Sequence, residues 1–94
     1  MFQISRDERG TVRLSGILDG SQVDEARRVF ETVTGSCDVD FGELQFISSA
    51  GLGLLLATQK RLAPQGEKLR LVNMPKHLKK IFDLTMFGVL FEIH

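Results

Sequence analysis

Between Thr11 and Val72 the apolar pattern changes period several times within a few dozen residues, and that switching limits the fold more than any single motif does. Val12 and Leu14, Val39 and Phe41, and Leu69 and Leu71 alternate with Thr11, Arg13, Asp38, Asp40, Lys68 and Arg70, the two-residue period of a half-buried strand. Between those runs, Val23, Ala26, Val29, Phe30 and Val33 recur at helical spacing. A chain of this kind folds as strands joined by helical crossovers, in a largely parallel sheet. The alternation of polarity within the strands places helices mainly on one face, because strands covered on both faces are continuously apolar.

Punctuation along the chain gives the expected order ββαβαβαβ. Strands over Phe2–Glu8 and Thr11–Ile17 form an opening hairpin that turns near Arg9-Gly10. The first helix has Ser21 or Asp19 as its N-cap and ends near Thr34-Gly35. A strand covers Cys37 to Phe41, and Gly42 to Ile47 reads as a connecting loop. The second helix runs from Ser49 to Leu62 and is stopped by Pro64 and Gly66. A strand over Glu67–Val72 follows. A third helix starts at Pro75 and carries Leu78, Ile81, Phe82 and Leu84, and a last strand covers Val89–Ile93. With 94 residues and no linker, repeat or low-complexity stretch, the expectation is one α/β domain over 1–94, with a mixed, largely parallel sheet.

Composition removes several functional classes. Twelve acidic and twelve basic side chains cancel, so no overall field favours nucleic acid, and no direct nucleic-acid binding is expected. The basic run Lys76, His77, Lys79, Lys80 has no aromatic side chains interleaved with it and reads as a solvated helix face. The early charges at Arg6, Asp7, Glu8 and Arg9 leave no room for a signal peptide. The apolar run from Ala50 to Ala57 is far below the roughly 20 residues of a membrane span. A cytoplasmic chain without membrane insertion is expected. The lone Cys37 and the two histidines lack a metal-ligand spacing, so no metal or cofactor is expected, and Cys37 reads as a small buried apolar residue. No nucleophile stands beside a base, no GxSxG or phosphate-loop motif occurs, and an enzyme is not expected.

The chemistry concentrates in Phe46-Ile47-Ser48-Ser49-Ala50-Gly51-Leu52-Gly53-Leu54-Leu55-Leu56. Ser48 or Ser49 can cap the second helix, and small residues at Ala50, Gly51 and Gly53 leave its first turns uncovered for close approach by another surface. A helix N-terminus favours an anion, so a hydroxyl placed there is well sited to carry a phosphate. Leu52, Leu55, Leu56 and Leu62 share the core-facing side. Leu54 lies off it and is a candidate interface anchor. Asp40 at its strand end is positioned to accept amides of the Gly42 segment.

Gly16-Ile17-Leu18-Asp19, then Asp40-Phe41, then Leu44 through Gly53, followed by Gln59-Lys60-Arg61-Leu62, Gly66, Leu69–Asn73 and Ile81–Leu84, resemble the STAS domain family in order and spacing. The family's best-known members are bacterial anti-sigma factor antagonists. The resemblance implies partner switching: binding to an anti-sigma factor with serine kinase activity, release on phosphorylation of Ser49, and resetting by a protein phosphatase. Ser48 is a competing acceptor. The implied partner-binding set is Asp19, Gly20, Ser21, Ser48, Ser49, Ala50, Gly51 and Leu54, with Asp19 either a contact or a helix-capping carboxylate. Two positions depart from the family pattern: Ser48 stands where an aspartate is common, and Ala50 where a serine is frequent. The terminal helix that many members carry is not expected after the last strand, and the uncovered edge or groove is expected to face a partner or another copy in a homodimer. The alternative implied role is a non-phosphorylated docking module or the small cytoplasmic subunit of a transporter.

Overall fold

The opening hairpin pairs β1 (Phe2–Arg6) with β2 (Val12–Leu18) antiparallel, Ile4 opposite Leu14, in a computed structural model that describes Met1 to His94. Its turn is tied by Asp7, whose Oδ1 accepts the amides of Arg9 at 2.9 Å and Thr11 at 3.0 Å. Gly10 takes φ 85° there, a conformation that disfavours a Cβ. The Asp7 carboxylate captures the turn amides, which ends β1 at Arg6, short of the expected Glu8.

Six further helices and strands complete the sheet and its cover: α1 (Val23–Phe30), β3 (Cys37–Ile47), α2 (Ser49–Leu62), β4 (Leu69–Val72), α3 (Lys76–Leu84) and β5 (Glu92–Ile93). The spatial order is β1-β2-β3-β4-β5, and β2 to β5 are parallel. Each crossover steps to the next strand in the same direction, so right-handed connections put all three helices on one face. That face holds a core of 22 buried residues, including Val12, Leu14, Val39, Phe41, Leu69 and Leu71 from the strands and Phe30, Leu55 and Phe82 from the helices. Cys37 is buried within it, where desolvation pushes its thiol pKa up. The other face is charged and open. Arg13 bonds Asp40 at 2.8 Å and Asp7 at 3.1 Å, Arg70 bonds Asp38 at 2.6 Å, and Lys68 bonds Glu92 at 2.7 Å. The Lys68 ammonium, aided by His94, holds the Glu92 carboxyl down at about 2. The expected α/β class and element order hold.

Several boundaries differ from the sequence reading, each for a local reason. Gly42–Ile47 is not a connecting loop but the continuation of β3, which pairs with β2 through Leu18↔Ile47. Two register shifts put an extra residue on β3 each time, between Asp40 and Glu43 and between Leu44 and Phe46. These bulges break the two-residue alternation, so Phe41, Leu44 and Ile47 face the core at three-residue spacing. Helix α1 starts at Val23 with Gln22 in the cap position and no side-chain cap, not at Ser21 or Asp19. It ends at Phe30, because the Arg61 guanidinium on α2 donates to the carbonyls of Phe30 and Val33, each at 2.9 Å, and closes its C-terminus. The last strand keeps only Glu92–Ile93, preceded by a 3₁₀ turn over Phe87–Leu90. Here the Gln59 side chain stands in for a ladder bond, its Oε1 accepting the Leu69 amide at 2.9 Å and its Nε2 donating to the Leu90 carbonyl at 3.0 Å.

Gly16 locks the edge of the sheet. It has φ +83°, and a Cβ there would lie 1.7 Å from the Met1 carbonyl oxygen, which itself accepts the Ile17 amide at 3.1 Å. Gly16→Ala is expected to lower stability by about 2 kcal/mol or more, from left-handed strain together with displacement of β1. Urea denaturation checks this, and a loss below half of that would mean that β1 is loosely held.

Candidate functional site

The carboxyl ends of two adjacent parallel strands build the site. Leu18 and Ile47 are register partners, and the Ser48 amide donates to the Leu18 carbonyl at 2.9 Å, so the turn entering α1 and the first turn of α2 lie side by side. Both chains leave the sheet here because Leu18 and Ile47 are buried, while Asp19, Gly20, Ser21, Ser48 and Ser49 are polar or small and reach the surface.

The two serines play different parts. Ser48 is extended at φ −86° and ψ 172°, the N-cap conformation, and its Oγ accepts the Gly51 amide at 3.3 Å while its carbonyl accepts the Leu52 amide at 3.0 Å. It is half-buried, and its amide, its carbonyl and its Oγ each have a partner within the domain. Ser49 is the first helical residue. Its side chain is exposed, and its hydroxyl makes no hydrogen bond within the domain. The amides of Ser49 and Ala50 have no carbonyl one turn earlier to donate to, and no acidic side chain occupies the first turn. The Ser49 hydroxyl therefore stands at an uncompensated positive helix end.

Glycine use at this tip is split. Gly51 is buried, and a Cβ there would lie 2.7 Å from Ile47 Cγ1 and 3.0 Å from Leu18 Cγ. It lets α2 press onto the strand ends and does not expose backbone to another surface, as its sequence context implied. Gly53 has open space around it, and Ala50 is exposed; these two form the accessible small-residue surface. Leu54, expected off the core face, is buried at 7% exposure. It points toward α1, sharing a cleft of about 210 Å³ with Arg27, Phe30 and Thr58. Leu52, Leu55 and Leu62 are buried as expected, and Leu56 is half-buried.

Asp19 is half-buried and shapes the neighbouring turn. Its Oδ1 accepts the Ser21 hydroxyl at 2.7 Å and the Ser21 amide at 2.9 Å, and those two bonds hold its carboxyl below the usual carboxylate range. It is not the helix cap, yet it rigidifies the exposed Gly20-Ser21 tip one residue from the Leu18–Ser48 bond. Asp40 does accept the Gly42 amide at 2.8 Å, as expected, and its other oxygen pairs with Arg13.

Two neighbours of the site are missed by pattern reading. Ile17 and Phe46 are register partners on the otherwise charged open face, and they remain 38% and 46% exposed. The second bulge of β3 falls just before Phe46, and the sequence signal for it is the broken alternation across Leu44-Gln45-Phe46-Ile47. His77, read as part of a solvated basic run, is exposed but donates from Nε2 to the Gln45 carbonyl at 2.8 Å, tying the first turn of α3 to the end of β3. Ser49 itself stands on a convex tip, and the cavities of the domain are lined by other residues. No helix is long and apolar enough to cross a membrane.

A singly wound sheet covered by helices on one face, with an exposed, unbonded hydroxyl at a helix N-terminus, defines a small α/β domain. A family model described as the Mlab, STAS domain matches residues 1–92, and the chain belongs to the STAS domain family. The anti-sigma-B factor antagonist of Staphylococcus epidermidis is 27% identical over 86 residues, covering 87% of this chain and 80% of that protein. BtrV of Bordetella bronchiseptica, named for an anti-sigma factor antagonist role, is 33% identical over 55 residues, 58% of this chain and 47% of BtrV, so the match spans about half of that relative. The solved anti-sigma factor antagonist SpoIIAA is similar in both of its forms. The unphosphorylated form is 27% identical at a TM-score of 0.72, over 100% of this chain and 87% of that one. The phosphorylated form of this Bacillus cell fate determinant is 25% identical at a TM-score of 0.70, over 100% and 91%.

Proposed function

We propose that the chain is an anti-sigma factor antagonist that binds an anti-sigma factor with serine kinase activity through the tip formed by Asp19–Ser21 and the start of α2, and that phosphorylation of Ser49 releases it. A protein phosphatase restores the binding form. The chain's role is binding, not turnover. The observation that carries the reading is the division of labour between the serines: Ser48 oxygen is used as the cap, and Ser49 hydroxyl is exposed and unbonded at the helix N-terminus. Likeness to SpoIIAA in both of its forms supports a switch that acts on the surface and leaves the fold in place. Ile17 and Phe46 extend the contact face with apolar area beside the tip. Gly51, buried against Leu18 and Ile47, supports the tip from beneath, while Leu54 is buried on the side of α2 that faces α1.

A phosphate at Ser49 adds roughly two negative charges where the partner docks, while the helix end accommodates the anion within the domain. Incubation with the cognate kinase and ATP should give a single phosphate mass shift that Ser49→Ala abolishes and Ser48→Ala preserves. The reverse pattern would move the switch to Ser48.

A second reading rests on Ser48 and Ala50, which depart from the pattern of switched relatives. In that reading the same tip is a constitutive docking face of a non-phosphorylated module, such as a small transporter subunit. Pull-down of transporter subunits, unaffected by Ser49→Ala, would select it.

A further inference from the structure

Charge along α3 runs against its own helix. Lys76 is the first residue, His77, Lys79 and Lys80 follow directly, no acid stands in the first turn, and Asp83 comes next to last. Cations at the positive end of a helix and an anion at the negative end are both unfavourable, and Lys76 and Lys80, one turn apart, repel each other. Helix α1 has the favourable order, with Asp24 and Glu25 in its first turn and Arg27 and Arg28 in its last. Lys79 pairs with Asp83 at 3.6 Å, whereas Lys76 and Lys80 are exposed and enter none of the ion pairs of the domain. A local rule broken without compensation inside the fold points to compensation from outside it.

These cations adjoin the tip that carries Ser49. The His77–Gln45 bond of 2.8 Å sets the first turn of α3 against the end of β3, which runs on to Ile47 past its last rung with β4, Asp40↔Val72. Beside Gln45 stands Phe46, exposed together with its register partner Ile17, and then the two serines. The lysines, the apolar pair and the tip therefore form one continuous surface. Its other flank is acidic, with Asp19 in the turn entering α1 and Asp24 and Glu25 beyond it.

We propose that the partner docking at this tip presents an acidic segment to Lys76 and Lys80 and an apolar side chain to Phe46 and Ile17, so that these residues fix its orientation. The inference rests on the switch reading of Ser49 and names the chemistry of the partner's facing surface. Negative charge on that surface is drawn to the start of α3, beside Ser49, and a phosphate arriving there repels it. The acidic flank around Asp19 disfavours the reverse orientation, in which like charges meet.

Calorimetric titration with the purified kinase that phosphorylates Ser49, held in ADP so that no transfer occurs, tests this. Lys76→Glu and Lys80→Glu should each raise the dissociation constant about ten-fold at low salt, and the difference should shrink as salt rises. Phe46→Ser should raise it about ten-fold at every salt concentration. Arg9→Glu makes the same change in net charge in the hairpin turn, at the other end of β2, and should leave affinity as it is. Lys76→Glu puts an acid at the positive helix end, so its unfolding temperature should hold or rise while binding falls, which separates lost contact from lost fold. Unchanged or tighter binding by both lysine variants overturns the proposal, as does an equal loss with Arg9→Glu. So does retention on heparin or anionic vesicles that Lys76→Glu abolishes without moving kinase affinity, which would assign the lysines to a polyanion. In each of these cases release by Ser49→Asp would leave the switch reading standing, whereas a wild type that binds no such kinase overturns both.

Discussion

Phe82→Ala is expected to destabilise the domain by about 3 to 5 kcal/mol. Phe82 is fully buried on α3 and stands between two other rings, edge-on to Phe41 of β3 at 6.0 Å and to Phe91 ahead of β5 at 6.1 Å, with interplanar angles of 82° and 81°. Each such pair contributes about 0.5 to 1.5 kcal/mol beyond its buried area. Removing the central ring leaves a void bounded by three separate elements, which cannot collapse together without moving α3 off the sheet. A chain of 94 residues has a total stability of about 5 to 14 kcal/mol, so about a fifth or more would be lost. The urea midpoint should fall accordingly, and Phe82→Leu should recover part of it. A loss below about 1 kcal/mol would show that α3 and the β5 edge unfold separately from the rest.

The fold was legible because most elements obey one period each. Val12, Leu14, Val39, Leu69 and Leu71 alternate with charged residues, and those charges do form the ion pairs of the open face. What stayed hidden is what tertiary contact decides. Two bulges in β3 turn Leu44-Gln45-Phe46-Ile47 into a pattern with neither strand nor helix period, so a strand reads as a loop. Leu54 was misplaced because α2 buries two sides, one on the sheet through Leu52 and Leu55 and another against α1 through Leu54 and Thr58. A helix apolar on both sides gives no single stripe from which to name an outlier. At the tip, sequence placed both serines at a helix start but could not assign their parts. Which oxygen caps the helix depends on the backbone turn at Ser48, fixed by the Ser48–Leu18 bond to a strand 30 residues earlier in the chain. Gly51 shows the same dependence: its need for hydrogen in place of a Cβ comes from Leu18 and Ile47 beneath it.

Ser49→Asp should raise the dissociation constant for the proposed kinase partner about 100-fold, which corresponds to roughly 2.7 kcal/mol. The carboxylate mimics part of the phosphate charge at a side chain that the domain leaves exposed, so the whole effect falls on the docked surface. Within the domain the same charge is favourable. It enters a first turn that has no acid, at the positive end of a helix of 14 residues, and should add about 0.3 to 1 kcal/mol to stability. Loss of binding with an unchanged or slightly raised unfolding temperature is therefore the signature of a surface switch, read by calorimetric titration and by thermal melting of the same sample. Ser48→Asp separates charge from position. Aspartate caps a helix as well as serine does. It should preserve the fold and leave Ser49 open to the kinase. Equal loss of binding for Ser48→Asp and Ser49→Asp would mean that any anion at this tip breaks the complex. Undiminished binding by Ser49→Asp would sink the charge switch and leave the tip of α2 as a constitutive docking face.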